Sequence, residues 1–205
     1  FFQSLKSSFS VFLEFLKFPF LFLFTSQFCH KNTNSKITAN YTKNKIASFY
    51  KKKSKVSYLG VDTKAYKPAN VKKKYDFLFV GSYHPVDGYN LIVQAVKLFG
   101  KEPSFKIQAI EDGWIESDVG MVNLYNQSKV VLCLSHGEPF GLVAIEAMAC
   151  GVPVIAVDEA GYRETVAHGK TGILIKRNPE DLAKAIKKLI GNSSRLKTYS
   201  KNARR

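Results

Sequence analysis

The pattern of apolar and polar positions divides the chain after residue 74 into short strands that alternate with helices. Each apolar run of strand length is followed by a segment with helical apolar spacing. The predicted strands are YDFLFV, FKIQAI, KVVLCLS, PVIAV and TGILI, and the predicted helices are NLIVQAVKLFG, VGMVNLYNQS, the segment from Gly141, YRETVAHG and 179–190. Because such alternation indicates right-handed β-α-β units, we predict an α/β fold with a doubly wound parallel sheet.

The pattern before residue 75 is less regular. KITA predicts a short strand, YTKNKIASFY a helix, and KVSYLGVD a second strand followed by a turn. The segment from Thr63 to Lys74 is rich in lysine and contains proline, which is typical of a hinge.

The first residues predict neither a membrane span nor a secretory signal. The segment Phe9 to Phe24 is strongly apolar, but it is short for a span and is interrupted by Glu14, Lys17 and Pro19. It also lacks a basic n-region and a small-residue cleavage site. A helix on a domain face and a helix on a membrane surface both stay open. Because the chain does not begin with methionine, we expect a fragment of a longer protein.

The cysteine content indicates a reducing compartment. The three cysteines, Cys29, Cys133 and Cys150, are widely spaced among apolar residues, as is usual for free thiols. We therefore predict a cytoplasmic protein. No Cys/His spacing resembles a metal site, and the adjacent pair Cys29 and His30 is interpreted as incidental.

The net charge of +15 comes mostly from lysine, which is concentrated at 51–55 and 72–74, and from a basic tail that ends Arg204-Arg205. Such clusters can attract nucleic acid, anionic lipid or phosphorylated substrates, and they are equally compatible with a solvated surface. Nucleic acid is disfavoured because no nucleic-acid motif and no interleaved stacking aromatics accompany the clusters. Peripheral contact with the inner face of a membrane stays open.

The segment SHGEPFGLVAIEAMACGVPVIA, residues 135–156, contains two carboxylates. Glu146 is the one charge in the apolar stretch 141–150, and Glu138 lies just before the helix predicted there. A buried carboxylate is costly unless something pairs with it. In doubly wound sheets, ligands bind beyond the carboxyl ends of the strands, where loops meet the first turns of helices. Pro139 suits the first turn of the predicted helix, so we expect Phe140, Gly141 and Leu142 to offer unpaired backbone N–H groups to a phosphate.

The two carboxylates flank this predicted phosphate site. Glu138 precedes the helix, and Glu146 lies about two turns inside it. Carboxylates suit hydroxyl-rich ligands because they are acceptors only, with about four lone-pair sites. The motif therefore predicts that sugar hydroxyls are bound on either side of a diphosphate.

The spacing Glu138-x7-Glu146 resembles the E-x7-E signature of family 4 retaining glycosyltransferases of the GT-B fold. The resemblance extends to SYLGVDTKAYKP, FLFVGSYHPVDGYNLIVQAV, NLYNQSKVVLCLS, VDEAGYRETVAHGKTGILI and NPEDLAKAIKKLI. It covers residues 56–205, whereas KITANYTKNKIASFY resembles the end of the amino-terminal domain. It thus implies that 1–58 is a truncated remnant of the acceptor domain and that 59–205 is a Rossmann-like donor-binding domain.

The resemblance implies retaining hexosyl transfer from a nucleotide diphosphate sugar to a sugar, lipid or protein acceptor, with neither cofactor nor metal ion. It makes Glu138 the catalytic candidate, in contact with the sugar hydroxyls, and Glu146 the ligand of the ribose. The other residues implied to bind substrate are Gly81, Ser82, Phe140, Gly141 and Leu142.

Two departures from the family pattern support an alternative function. Where the family loop commonly carries arginine and lysine, this chain has Ser82 and Asp87. A diphosphate about 5 Å from Asp87 would be repelled by roughly 3 kcal/mol at an effective dielectric near 20. The alternative is a degenerate, non-catalytic GT-B domain acting as a binding or interaction module. The stretch between FKIQAI and NLYNQS is also short, so we expect five strands rather than six.

Several nearby residues have structural interpretations. We expect His84 and His136 to face solvent, Trp114 to serve packing, and Gly172 to serve a turn. Glu164 could reach the ligand, but stabilisation of the first turn of its own helix is favoured.

Overall fold

The computed structural model describes residues 36–101, 103–113, 115 and 117–204. The apolar segment Phe9 to Phe24, the Cys29-His30 pair and Trp114 lie outside the described residues. The described chain divides into two compact units, a smaller one with residues 36–37 and 42–57 and a larger one with residues 38–41 and 58–204.

The helices and strands of the described residues are named in chain order. They are β1 (Lys36–Ile37), α1 (Asn40–Tyr50), β2 (Lys55–Val56), β3 (Tyr75–Gly81), α2 (Tyr89–Val96), β4 (Phe105–Ala109), α3 (Asp118–Gln127), β5 (Ser128–Cys133), α4 (Leu142–Ala149), β6 (Val154–Val157), α5 (Tyr162–Thr165), β7 (Gly172–Ile175), α6 (Pro179–Ile190) and α7 (Ser193–Ala203). Short 3-10 turns span Pro85–Asp87 and Ile110–Asp112.

The described part of the smaller unit contains a minimal parallel pair of strands. Lys36 lies opposite Lys55, and Ile37 lies opposite Val56. The Ser57 N–H extends the pairing by donating to the Ile37 carbonyl at 2.7 Å. The predicted strands in KITA and KVSYLGVD are therefore present, but each is only two residues long.

The larger unit contains a five-stranded sheet in the order β4-β3-β5-β6-β7, and every described pairing in it is parallel. Leu132 of the central strand β5 has Phe79 on one side and Ile155 on the other. The doubly wound α/β prediction is confirmed. The described sheet also has the five strands that the short segment before α3 predicts.

The core of the larger unit is formed by apolar strands and by the inner faces of the helices that pack on them. Phe77, Leu132 and Ile155 have no exposed surface. On α6, Leu182, Ile186 and Leu189 follow the spacing of one helix face and are equally buried. Full burial of each such side chain contributes about 1.5–3 kcal/mol, so the sheet and α6 form a rigid support for the loops at the strand ends.

The helix α6 begins and ends where its sequence predicts. Pro179 occupies the first turn, and the Asn178 side chain accepts a hydrogen bond from the Asp181 N–H at 2.7 Å. By contrast, α7 was not predicted, because its residues are largely polar. The Asn192 side chain caps α7 by accepting from the Arg195 N–H at 2.9 Å.

The segment 63–74, predicted to be a hinge, is instead part of the larger unit. The Asn126 side chain accepts from the Ala69 N–H at 2.7 Å and donates to the Lys67 carbonyl at 3.0 Å. Tyr66 in this segment is buried. An irregular segment whose backbone groups are bonded to α3 has little freedom to act as a hinge.

Three other expectations differ in detail. The helix α2 ends at Val96, before the predicted end at Gly100, and α5 has four residues rather than the eight of YRETVAHG. Gly172 starts β7 rather than forming a turn. A Cβ there would lie 2.3 Å from the Val154 carbonyl oxygen, so glycine permits β6 and β7 to approach closely.

Among the described residues, none of the helices has both the length and the apolar character needed to cross a membrane.

Candidate functional site

The loops that follow the parallel strands meet at one edge of the sheet. The loops after β3, β5 and β6 contain residues 82–88, 134–141 and 158–161. The His136 N–H donates to the Val86 carbonyl at 2.7 Å, and the Gly161 N–H donates to the Glu138 carbonyl at 2.8 Å. The fold therefore brings the predicted loop after Gly81 and the E-x7-E loop together, as expected for strand ends in a doubly wound sheet.

The carboxylate of Asp87 is bound by serine donors of these loops. Its Oδ2 accepts from the Ser82 N–H at 2.9 Å and from the Ser82 hydroxyl at 2.5 Å. Its Oδ1 accepts from the Ser135 hydroxyl at 3.2 Å. These bonds direct the Asp87 carboxylate toward the serines of the loops themselves.

The geometry around Asp87 depends on the residues beside it. Gly88 has a φ of 86°, and a Cβ there would lie 2.7 Å from the Leu134 carbonyl oxygen. His84, expected only to face solvent, is exposed but also caps the 3-10 turn, because its Nδ1 accepts from the Val86 N–H at 3.2 Å. The loop after β3 is thus held by its own side chains.

The Glu138 carboxylate accepts hydrogen bonds from the backbone N–H groups that were predicted to be unpaired. Its Oε1 accepts from the Phe140 N–H at 3.2 Å and from the Gly141 N–H at 2.9 Å. Burial raises the pKa of the Glu138 carboxyl, the two N–H bonds lower it, and the nearby Asp87 raises it, with a net upward shift. The expectation of unpaired N–H groups at Phe140 and Gly141 is therefore wrong.

The helix α4 begins at Leu142, so Pro139 does not lie in its first turn. Gly141 is the N-cap residue and has a φ of 95°, which favours glycine. A Cβ at Gly141 would lie 2.9 Å from the ring of the buried Tyr162, and a Cβ at Gly161 would lie 2.4 Å from the Pro139 carbonyl oxygen. These two glycines permit the E-x7-E loop to pack tightly against the loop after β6.

The Glu146 carboxylate has a buried hydrogen-bond partner. Its Oε2 accepts from the Tyr125 hydroxyl at 2.7 Å, and Tyr125 has no exposed surface. Glu146 itself is half-buried on α4. This hydrogen bond explains how a carboxylate is accommodated in an otherwise apolar helix.

The thiol of Cys133 lies close to both glutamates of the motif. Burial raises its pKa, and the negative charges of Glu138 and then Glu146 raise it further. Cys133 ends β5, the central strand of the sheet. The fold therefore brings the two carboxylates, eight residues apart in sequence, to the carboxyl end of the same strand.

Arg177, which was not predicted as a site residue, supports the E-x7-E loop, residues 134–141. Its guanidinium donates to the Leu134 carbonyl at 2.6 Å and to the Ser135 carbonyl at 3.3 Å. It also donates twice to the Glu159 carboxylate, at 2.9 and 2.7 Å, which holds the pKa of Glu159 below its usual range. The signal available in the sequence was an arginine two residues after the predicted strand TGILI, at the edge of the sheet where ligands bind.

His136 and Glu164 make contacts beyond their predicted roles. His136 is exposed, as expected, and its Nδ1 lies 3.9 Å from Glu159 Oε2. Glu164 does not serve only its own helix, because it accepts from the Asn40 and Tyr41 N–H groups at 2.9 and 2.7 Å and thereby caps α1. The Tyr58 hydroxyl donates to the same carboxylate at 3.1 Å.

The described residues contain no group of three or more His, Cys, Asp or Glu side chains that could hold a metal ion. The polar groups at the strand ends include carboxylates, serine hydroxyls and backbone N–H groups. They can accept hydrogen bonds from ligand hydroxyls and donate to anionic oxygens.

Residues 113–205 match the family model described as "Glycosyl transferases group 1". This part of the chain is therefore similar to the group 1 glycosyltransferases. The chain is also 31% identical over 202 residues to an uncharacterized glycosyltransferase of Methanocaldococcus jannaschii, and the alignment covers 86% of this chain. The chain spans 56% of the length of that relative.

Solved structures of glycosyltransferases confirm that the larger unit has the fold of a GT-B half. The carboxy-terminal domain of a group 1 family protein from Francisella tularensis is similar, with a TM-score of 0.61 and 22% identity, over 71% of this chain and 95% of that one. The Anabaena protein HepE, solved in complex with UDP and glucose, gives a TM-score of 0.66 and 20% identity, over 82% of this chain and 56% of that one.

Proposed function

We propose that this chain binds a nucleotide diphosphate sugar at the carboxyl edge of its sheet, as the donor domain of a retaining family 4 glycosyltransferase. The observation that carries the proposal is the placement of Glu138, in the loop between β5 and α4, and of Glu146, on α4, at the carboxyl edge of the sheet. The presence of UDP in the similar fold of HepE supports a nucleotide as part of the ligand.

Each predicted site residue has a role in this proposal. Glu146 accepts hydrogen bonds from the ribose, and Glu138 contacts the hydroxyls of the transferred sugar as the catalytic candidate. The Leu142 N–H, at the positive end of α4, attracts the diphosphate. The residues Gly81, Ser82, Phe140 and Gly141 form the backbone wall around it.

Binding of the diphosphate requires a local change at Glu138, because its carboxylate occupies the Phe140 and Gly141 N–H groups. A phosphate oxygen is a comparable acceptor for these donors. If it replaces the carboxylate, Glu138 is released toward the sugar. Helix-start donors then stabilise the leaving diphosphate, and the proposal requires neither a metal ion nor a cofactor.

The reaction itself is a proposal about the whole protein, since the chain spans about half of the relative described above. We propose hexosyl transfer with retention of configuration to a sugar, lipid or protein acceptor. The boundary proposed between acceptor and donor domains lies at residues 58 and 59.

The binding-module alternative is not favoured. It was based on Ser82 and Asp87, which replace basic residues of the family loop. Ser82 and Ser135 donate three hydrogen bonds to the Asp87 carboxylate, so this anion is compensated by the loops that surround it. Donors to an ionised acceptor offset part of its repulsion toward a nearby anion.

Calorimetry with UDP, GDP and ADP tests the donor-site proposal. At least one of them should bind the unaltered chain, and Glu146→Gln should weaken it by about tenfold, because a hydrogen bond to a charged group is worth about 1.5–3 kcal/mol. Glu180→Gln is the matched control, since Glu180 is exposed in the first turn of α6. Absence of binding at millimolar ligand would contradict the proposal.

A cytoplasmic location with peripheral contact at the inner membrane face is a further part of this proposal. Its support is the buried free thiols Cys133 and Cys150, together with lysines 51–53 and the exposed Phe49. Clusters of lysine attract anionic lipid in a salt-dependent manner. Cosedimentation with phosphatidylserine vesicles at low and high salt tests it, and equal recovery with neutral phosphatidylcholine vesicles would contradict it.

A further inference from the structure

A fully buried tyrosine contacts the glutamate that is proposed to bind ribose. Tyr125 lies near the end of α3, and its hydroxyl donates to Glu146 Oε2 at 2.7 Å. Burial first, and then the charge of Glu146, raises the pKa of Tyr125 well above its usual range. The hydroxyl therefore keeps its proton at neutral pH and donates it to the Glu146 carboxylate.

A second tyrosine provides an internal comparison. The ring of Tyr66 lies 6.3 Å from that of Tyr125, and its hydroxyl donates to Asp118 Oδ1 at 2.9 Å. Tyr66 is also buried. The two phenols therefore share one part of the core, but each bonds a different carboxylate, and only Tyr125 bonds a residue of the E-x7-E motif.

The contact restricts the orientation of Glu146. A glutamate side chain has three rotatable bonds and loses up to about 2 kcal/mol of rotamer freedom when it is fixed. Tyr125 has no exposed surface, so its hydroxyl is held in place by the packing around it. A fixed donor on one carboxylate oxygen limits the directions that the carboxylate can adopt before any ligand arrives.

The same contact is compatible with ligand binding. A carboxylate has about four lone-pair sites, so accepting from a phenol does not prevent it from accepting from ribose hydroxyls. Fixing a binding group in its bound orientation improves affinity by reducing the entropy lost on association.

We propose that Tyr125 is a positioning residue for ribose recognition, which holds the Glu146 carboxylate in the orientation that accepts hydrogen bonds from the ribose hydroxyls of the donor nucleotide. The inference rests on the proposed donor site. It assigns the phenol of α3 to ligand recognition, whereas a purely structural role would only provide a donor for a half-buried carboxylate.

The experiment compares two ligands that differ only in the ribose. Calorimetry measures the affinity for whichever of UDP, GDP and ADP binds the unaltered chain most tightly, and for its 2′,3′-dideoxy analogue. Tyr125→Phe should weaken binding of the ribonucleotide by about three- to tenfold, the value of one hydrogen bond. It should weaken binding of the dideoxy analogue by less than about twofold. Phenylalanine lacks only the hydroxyl, so the aromatic packing is retained.

Tyr66→Phe is the matched control: it removes the hydroxyl that donates to Asp118, and it should weaken binding of the ribonucleotide by less than Tyr125→Phe does. In the Glu146→Gln background, Tyr125→Phe should have little further effect on ribonucleotide binding, because the two residues act through one contact. Equal losses for both ligands, or no loss for either, would overturn the positioning role while leaving the donor site intact. If no nucleotide binds the unaltered chain, the donor-site proposal fails, and this inference fails with it.

Discussion

Asp87 is joined twice to Ser82, because the backbone N–H and the hydroxyl of Ser82 both donate to Asp87 Oδ2, at 2.9 and 2.5 Å. The other carboxylate oxygen accepts from Ser135 in the loop after β5. One acidic side chain therefore ties the loop after β3 to the start of the E-x7-E loop. Where the family loop commonly carries lysine, this chain has a carboxylate that accepts hydrogen bonds from two loops.

This geometry predicts the effect of reversing the charge at Asp87. If the carboxylate faced the diphosphate, Asp87→Lys should raise nucleotide affinity about tenfold by replacing repulsion with attraction. The structure predicts the opposite, since the lysine leaves the Ser82 N–H and hydroxyl without their acceptor. We expect a loss of about 1–3 kcal/mol in the free energy of unfolding and weaker nucleotide binding.

Urea unfolding and calorimetry on the same samples check this prediction. Glu180→Lys is the control, because it makes the same charge change at an exposed position of α6. A rise in affinity with Asp87→Lys, reduced by added salt, would show that the side chain faces the ligand after all.

The tight packing of the site loops predicts which glycines tolerate a methyl group. In Gly161→Ala the new Cβ would lie 2.4 Å from the Pro139 carbonyl oxygen and 2.6 Å from the Phe140 Cα, both backbone atoms. Because neither can move without displacing the E-x7-E loop, we expect a loss of about 1–3 kcal/mol in the free energy of unfolding. In the control Gly100→Ala the Cβ meets no atom within 4 Å. Equal unfolding midpoints for the two variants would contradict the described packing.

The sequence predicted the larger unit well wherever the signal was local. The bounds of α6 follow from Asn178, Pro179 and the apolar spacing behind them, and all of these lie within one segment. The apolar runs of the five strands also carry their own signal, because strands buried on both faces need no alternation. The two glutamates were recognised because their spacing within one segment resembles the E-x7-E signature.

The partners of the site residues could not be predicted, because they come from distant segments. Glu164 caps a helix that begins 124 residues earlier, and Tyr125 reaches Glu146 from another helix. Nor could the sequence tell that Glu138 turns back onto the Phe140 N–H, since that choice depends on local burial. Nor could the sequence tell where the Asp87 carboxylate points, because that depends on its hydrogen bonds to Ser82 and Ser135.

The raised pKa of Glu138 predicts a pH-dependent stability difference. The shift lies above the ordinary value of 4.5, so the unfolded chain ionises this carboxyl before the folded chain does. The stability that Glu138 contributes is present below pH 4.5 and is lost as the pH rises through the folded pKa. Glu138→Gln should therefore become more stable relative to the unaltered chain across this interval, by about 1.4 kcal/mol for each pH unit between the two pKa values.

Urea unfolding between pH 4 and pH 7 measures this difference, and calorimetry at pH 7 should show that the same variant binds donor nucleotide sugar more weakly. Glu180→Gln provides the baseline for loss of one exposed carboxylate. If Glu138→Gln instead loses stability relative to the unaltered chain as the pH rises, the Glu138 pKa is not raised in the folded state.

The cap that Glu164 provides for α1 predicts the opposite pH dependence. Partial burial raises the pKa of this carboxyl, but the Asn40 and Tyr41 N–H groups, with the Asn40 amide and Tyr58 hydroxyl, hold it below 4.5 overall. Its contribution is therefore present above pH 4.5 and is lost as the pH falls through the folded pKa. Because Glu164 is exposed, we expect Glu164→Gln to cost only about 0.5–1 kcal/mol at pH 7. Urea unfolding should show that the difference in stability between Glu164→Gln and the unaltered chain shrinks as the pH falls toward 3 and as salt is added. The control Glu180→Gln leaves the cap of α1 intact. A difference that stays constant with pH would mean that the charge of Glu164 does not stabilise the start of that helix.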